Sequence, residues 1–291
     1  MTAASLPACA RIEIVDAGAS TTVQDGGRLG SVHYGVSPSG AVDRRALETA
    51  NRRLGNDPHA PVLESLLGGL SFRVSADRWC AVSGARAAVL IDGARVTEPE
   101  RFLAPSGSRI DICEASRGLY TVLAVSGGID AARTLGSAST DTLSGIGPSR
   151  LTAGDAFELG DARDPADSVH PDVSLPSARA EIAFRWGPRD AQFDVADREL
   201  LLRTEWIVSN DTNRVGARLD GARLRGGDGT LPSEGIMTGS IQIPPSGQPI
   251  VFLADRPVTG GYPVIGVVDE HDLGRFAQVR PGARVRFRPH P

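Results

Sequence analysis

Three stretches of this 291-residue chain are too polar and too rich in glycine to be core, and each carries side chains able to do chemistry. The first, VQDGGRLGSVHYGVSPSGAVD (Val23 to Asp43), sets His33 beside Tyr34 among five glycines. An imidazole there is a candidate general base, although a lone His next to a Tyr more often serves as a hydrogen-bonded structural residue. The second, VSNDTNRVGARLDG (Val208 to Gly221), brings Asn210, Asn213 and Arg214 close together. The third runs from Leu231 to Val268. Its strands PIVFLAD and VIGVV are joined by nine residues, Asp255 to Pro263, too many for a tight hairpin. Asp255 at a strand end, Thr259 and Tyr262 supply polar groups on a proline-stiffened frame, and Gly260-Gly261 allow backbone to approach a ligand. Upstream, Gln242 and Gln248 offer amides, and Ser233-Glu234 a hydroxyl and a carboxylate. Binding groups commonly sit on such loops, and the competing reading is a decorated turn at a barrel corner.

Other patterns lead away from familiar sites. DEHD (Asp269 to Asp272) has four possible metal ligands in a row, but consecutive positions point in different directions. DEHDLGRFA reads instead as the acid-rich start of a helix, so no metal site is expected. There is no G-x-S-x-G elbow, and GGRLG lacks the spacing and the strand-to-helix setting of a dinucleotide site.

The elements that must hold these groups are mostly short strands. RIEIVDAG opens with the alternation of Ile12 and Ile14. AVDRRALETANRRLGND predicts a helix with a stripe of Ala46, Leu47, Ala50 and Leu54, Gly55 as its stop and Asp43 in its first turn. GGLSFRVS, RWCAVSG and AAVLIDGARV alternate, and Asp92-Gly93 is a hairpin turn. LYTVLAVSGGI is a buried strand opening into a loop. LTAGDAFELG, VRPGARVRFRP and, more loosely, LAPSGSRIDIC share one turn-then-strand layout, which suggests one closing element used in two β domains. Residues 161–180 are acidic and rich in Pro and Ser, a linker composition. The expected organisation is thus an N-terminal module over 11–160, a linker over 161–180 and a C-terminal module over 181–291. The latter begins with the strand EIAFRWGPR and a short helix and strand in DVADRELLLRTEWIVS.

Composition narrows the function. The net charge of −4 argues against nucleic acid as a partner. All 31 basic residues are arginine. A P-loop, a Schiff base and a biotin attachment site each need a lysine, so none resides on this chain. Cys9, Cys80 and Cys113 lie far apart with no CxxC, which suggests a reducing compartment. The start lacks the basic and apolar regions of a signal peptide, and no apolar run approaches the roughly 18 residues of a membrane span. A cytoplasmic protein is expected.

Taken together, TVQDGGRLGSVHYGVSPSGAVD, GGIDAARTLGSASTDTLSGIG, SNDTNRVGARLDG and SEGIMTGSIQIPPSGQPIVFLADRPVTGGYPVIGVV resemble, in order along the chain, one family. It is variously called the 5-oxoprolinase C subunit, allophanate hydrolase subunit 2 or biotin-dependent carboxyltransferase family protein. The resemblance implies a mainly β fold with a few short helices, built from two cyclophilin-like β-barrel modules. It implies a sister subunit as partner (the 5-oxoprolinase B subunit or allophanate hydrolase subunit 1) and a small amide or lactam substrate. The activity implied is ATP-dependent hydrolysis of 5-oxoproline to glutamate, with ATP used by the complex and no cofactor held by a motif of this chain. Two alternatives follow: a carboxyltransferase half-site using carboxybiotin on urea or a related amide, and a non-catalytic regulatory or scaffold partner. Carried over by position, the pocket would take Gln24, Asp25, Arg28, His33, Tyr34, Ser37 and Asp43 from the first motif. Asn210, Asn213 and Arg214 come from the second, and Gln242, Gln248, Asp255, Thr259, Gly260, Gly261 and Tyr262 from the third. His33, Tyr34, Asp255 and Tyr262 are the catalytic candidates, and Arg28 or Arg214 would hold a substrate carboxylate. The chain departs from the family twice. Ala138 stands where an arginine is usual in Ser137-Ala138-Ser139-Thr140, and Val264 stands where a basic residue often follows Tyr-Pro.

Overall fold

The structure, a computed structural model, describes residues 9–165, 175–226 and 231–290. Much of the expected linker, His170 included, lies outside the described residues. The fold is mainly β, with three α-helices: α1 (Arg44–Arg53), α2 (Val195–Arg203) and α3 (Glu270–Ala277). Contacts divide it into two compact units that are not the contiguous stretches 11–160 and 181–291. The first takes the chain up to Gly26, Arg45–Thr140 and the part following Gly147; the second takes Gly27–Arg44, Asp141–Ile146 and the C-terminal part.

The first unit consists of two antiparallel sheets, one of seven strands and one of five. Strand Arg11–Ala17 alternates as its sequence requires: Ile12 and Ile14 are buried while Arg11 and Glu13 face out. It pairs with Leu70–Val74 through a register shift between Ile14 and Asp16, which bends it. Strand Arg117–Val125 lies between Val62–Leu66 and Arg78–Arg86 and is buried from Gly118 to its end, as its continuous apolar run implies. Ile12, Phe72, Val82, Phe102, Ile110 and Val125 belong to one core shared by the two sheets. The Asp92-Gly93 turn joins Val89–Ile91 to Ala94–Arg95, both turn residues having positive φ. On α1, Ala46, Leu47 and Ala50 are fully buried, as is Leu54 just after it, and Gly55 at φ 66° follows as the stop.

The second unit is a closed seven-stranded barrel. Every pairing in it is antiparallel except one: Arg179–Trp186 runs parallel to Arg284–Pro289, opposing Ile182 to Phe287 and Ala180 to Val285. Those alternate positions fill the core with Phe184, whose ring meets Phe287 edge-on at 5.8 Å. The helix and strand expected in DVADRELLLRTEWIVS are α2, capped by the Asp194 carboxylate on the Asp197 N–H at 2.7 Å, and Trp206–Val208. DEHDLGRFA forms α3, and the Asp272 carboxylate accepts the Ala183 N–H at 2.7 Å. The three turn-then-strand segments share one geometry. Ser108, Asp155 and Ala283 donate to the carbonyls of Pro105, Thr152 and Arg280, each across a glycine at positive φ.

Candidate functional site

The candidate residues fall into different units. Gln24 ends strand Thr21–Gln24 in the first and Asp25 follows it, and the others belong to the second. Asp25 is buried, and its carboxylate accepts the Ser137 and Ser139 hydroxyls at 2.6 Å each and the Ala138 N–H at 2.7 Å. Arg133 approaches the same carboxylate at 3.5 Å, so the loop that lacks an arginine at Ala138 receives one from Arg133. Gln24 donates to Thr22 Oγ1 and the Thr140 carbonyl. These two residues tie a strand end to the 137–140 loop.

In the second unit, distant segments converge on one ion pair. Arg214 donates to Asp255 through Nε at 2.9 Å and Nη2 at 3.1 Å, a two-pronged contact, and Nη2 also donates to the Gly40 carbonyl at 2.6 Å. Asp255, fully buried, accepts further from the Thr142 N–H at 2.9 Å and the Thr142 hydroxyl at 2.7 Å. Ser37 Oγ donates to the Ala254 carbonyl at 3.0 Å. Three of the four donors fall on Oδ2 and one on Oδ1, so the network fixes the Asp255 carboxylate in place. Arg214, buried against it, has its fork occupied and is not a ready carboxylate receptor. These residues make the frame.

Others among the expected ligands are likewise engaged in folding. Asn213 Oδ1 accepts the N–H groups of Val215 and Gly216, a local turn of the kind Asn favours. Gln248 clasps Gly221 through both amide atoms. Asp43, buried ahead of α1, accepts from Gln278 Nε2 at 2.9 Å. Arg28 is fully buried, and its backbone N–H closes the 28–38 loop on the Pro38 carbonyl. Gln242 donates to the Tyr262 carbonyl at 3.1 Å.

The Asp255–Pro263 connection folds back as a small ladder, with Glu234–Gly235 paired to Thr259–Gly260. The close approach that Gly260 permits is to the protein itself. A Cβ there would lie 2.4 Å from Ile236 Cδ1 and 2.8 Å from Gln242 Nε2. Arg189 pairs with Glu234 at the ladder's edge; this bond raises the arginine and holds the Glu234 carboxyl below its ordinary value.

What remains open to a ligand is a smaller set. His33 and Tyr34 sit exposed on a short 3-10 turn, Ser31–Tyr34, with ring centroids 3.8 Å apart. No carboxylate orients the imidazole among the described residues. Asn210, Thr259 and Tyr262 are also exposed. Leu29, Tyr34, Leu143 and Met237 add exposed apolar surface on the loops of this unit. One buried residue was not anticipated: Arg256, next to Asp255 and 6% exposed. Its Nε lies 3.3 Å from Thr238 Oγ1, its Nη1 donates to the Pro257 carbonyl at 3.1 Å, and no carboxylate pairs with it among the described residues. Burial pushes its pKa down. Only its place between the ion-paired Asp255 and Pro257 in ADRP could have drawn attention to it.

Comparison with known proteins shows what the chain as a whole is similar to. The carboxyltransferase domain, subdomain A and B, matches residues 34–289. The chain is 38% identical over 281 residues to the C subunit of 5-oxoprolinase from Escherichia coli (strain K12), covering 95% of this chain and 90% of that protein. It is 31% identical over 307 residues to urea amidolyase of Saccharomyces cerevisiae, covering 96% of this chain but 16% of that protein. Among solved structures, TTHA0988 superimposes with a TM-score of 0.88 at 32% identity, over 98% of this chain and 56% of that one. The chain thus spans about half the length of TTHA0988.

Proposed function

This chain belongs to the carboxyltransferase domain family, subdomains A and B, and we propose that it is the C subunit of an ATP-dependent 5-oxoprolinase. With a sister subunit it would open the lactam of 5-oxoproline to give glutamate. One observation carries this reading: the similarity to the 5-oxoprolinase C subunit runs nearly end to end in both proteins. In the urea amidolyase comparison the chain corresponds to a small part of a much larger protein.

Opening an amide ring requires attack at the carbonyl carbon, and charge then builds on the carbonyl oxygen. The second unit offers a rigid frame, Arg214–Asp255 with Gly40 and Thr142, from which loops carrying His33, Tyr34 and Tyr262 project. These three are the candidates to meet substrate, and Asp255 is a positioning residue. ATP and the sister subunit belong to the complex. The cytoplasm is the compartment this reading assigns; no helix among the described residues is long and apolar enough to cross a membrane.

The test is reconstitution. Activity should appear as 5-oxoproline-dependent ATP hydrolysis only when the chain is mixed with its sister subunits. Tyr262→Phe should leave assembly intact and lower turnover about tenfold, on the order of 1.4 kcal/mol in the barrier. Full activity in the variant would remove Tyr262 from the site. The similarity to urea amidolyase favours a second reading, carboxyl transfer. It requires a biotin carrier on another polypeptide, since this chain has no lysine. Carboxybiotin turnover in the same mixture would replace the first reading with the second.

A further inference from the structure

The Arg214–Asp255 knot leaves one charge over. Two arginines, Arg214 and Arg256, are each 6% exposed; the first pairs with Asp255, and the second only follows Asp255 in the chain. Arg214 takes both oxygens of Asp255, and both Thr142 donors fall on Oδ2. Arg256 is left with two neutral acceptors, Thr238 Oγ1 and the Pro257 carbonyl. A guanidinium carries five N–H donors, so three have no acceptor among the described residues. The only influence on its pKa is the loss of water around it; no neighbouring carboxylate opposes that fall. Arg189 behaves in the opposite way, because it has Glu234.

Withdrawing a cation from water is unfavourable, and two neutral acceptors do not cancel its charge. Buried charges are ordinarily paired. A fold that keeps this one unpaired, beside another that it pairs in full, is set to receive its counter-ion from outside. Two buried hydroxyls lie on segments that the knot gathers: Ser39, next to the Gly40 that holds Arg214, and Thr212, two residues before Arg214. Neither Ser39 Oγ nor Thr212 Oγ1 has a hydrogen-bond partner. Both can donate.

We propose that Arg256 is the anion receptor of the C-terminal unit and holds the carboxylate of a small carboxylated amide. The proposal deepens the 5-oxoprolinase reading and rests on it for the identity of the substrate. It also replaces Arg214 as the carboxylate receptor: Arg214 is committed to Asp255, whereas Arg256 has donors to spare. No bond is made or broken here. The guanidinium binds and orients the carboxylate, and the amide end is left for the groups around it.

The experiment uses the assembled complex with Arg256→Gln and Arg256→Lys. The glutamine variant should raise the KM for 5-oxoproline about tenfold, the loss expected for one hydrogen-bonded charge pair, while kcat falls less. Lysine should recover part of the loss. Inhibition by 2-pyrrolidinone, the same lactam without a carboxylate, should be equal in wild type and Arg256→Gln. An unchanged KM, or equal loss of 2-pyrrolidinone binding, overturns the assignment. So does failure of Arg256→Gln to assemble with the sister subunits, because the counter-ion would then be theirs. If the wild-type complex does not turn over 5-oxoproline at all, the functional reading falls separately. The receptor is then judged by titrating acetate and bicarbonate into wild type and Arg256→Gln. Saturable binding present only in wild type upholds it, and no difference between the two refutes it.

Discussion

At the scale of single residues, burial and hydrogen bonding sort the polar groups of the C-terminal unit into frame and function. Asp255 is the clearest member of the frame, since four hydrogen bonds converge on its carboxylate. Asp255→Asn keeps the shape but removes the charge, leaving Arg214 buried without an anion. Breaking one side of such a pair costs about 3–5 kcal/mol. Urea denaturation of the variant should show a loss of that size, with the midpoint shifted and the slope unchanged. A variant as stable as wild type would mean that the pair is not a main support of the barrel. The sequence marked Asp255 as a residue of interest but could not say which role it has. In a chain with 31 arginines, nothing in ADRP tells which of them the aspartate will hold. That choice is made by Arg214, 41 residues away, and the same distance hid the significance of Arg256.

At the scale of elements, local chemistry was easy to read and long-range pairing was not. The α1 stripe, the Asp92-Gly93 hairpin and the three turn-then-strand segments depend on neighbours a few residues apart, and all are present. The ladder between Glu234–Gly235 and Thr259–Gly260 joins strands about 25 residues apart, and no periodicity marks a two-residue strand. Its presence changes the meaning of Gly260. A methyl group at that position must displace Ile236 and Gln242. Gly260→Ala should therefore cost about 1–3 kcal/mol through overpacking. It should also speed hydrogen exchange at the Ile236 amide, which donates to the Val258 carbonyl across the ladder. Unaltered exchange would show that the ladder tolerates the methyl group.

At the scale of the molecule, exposed ion pairs set a pH dependence. The Glu234 carboxyl is held below its ordinary 4.5 first by the Arg189 hydrogen bond, and Glu205 likewise by the Arg284 hydrogen bond. A carboxylate whose folded pKa is depressed contributes stability that is fully present above 4.5. That contribution is lost as the pH falls through the lower folded value. The urea midpoint should thus decline below about pH 4.5, and Glu234→Gln should flatten that decline. Equal slopes in wild type and variant would place the acid sensitivity elsewhere.

The alternation of the chain between its two units has a consequence for any attempt to divide it. A fragment starting at residue 175 contains every strand of the closed barrel. It lacks Gly40, the carbonyl that holds Arg214 from 174 residues upstream. It also lacks Thr142, which supplies two of the four donors on Asp255. Such a fragment would have the complete wall of the barrel and an unfinished ion-pair network at the place where the chain's chemistry is proposed to reside. A polypeptide emerging from the ribosome passes through the same state in reverse. The loops that complete the site are made first and must wait, without their partners, until the last strand has been synthesised.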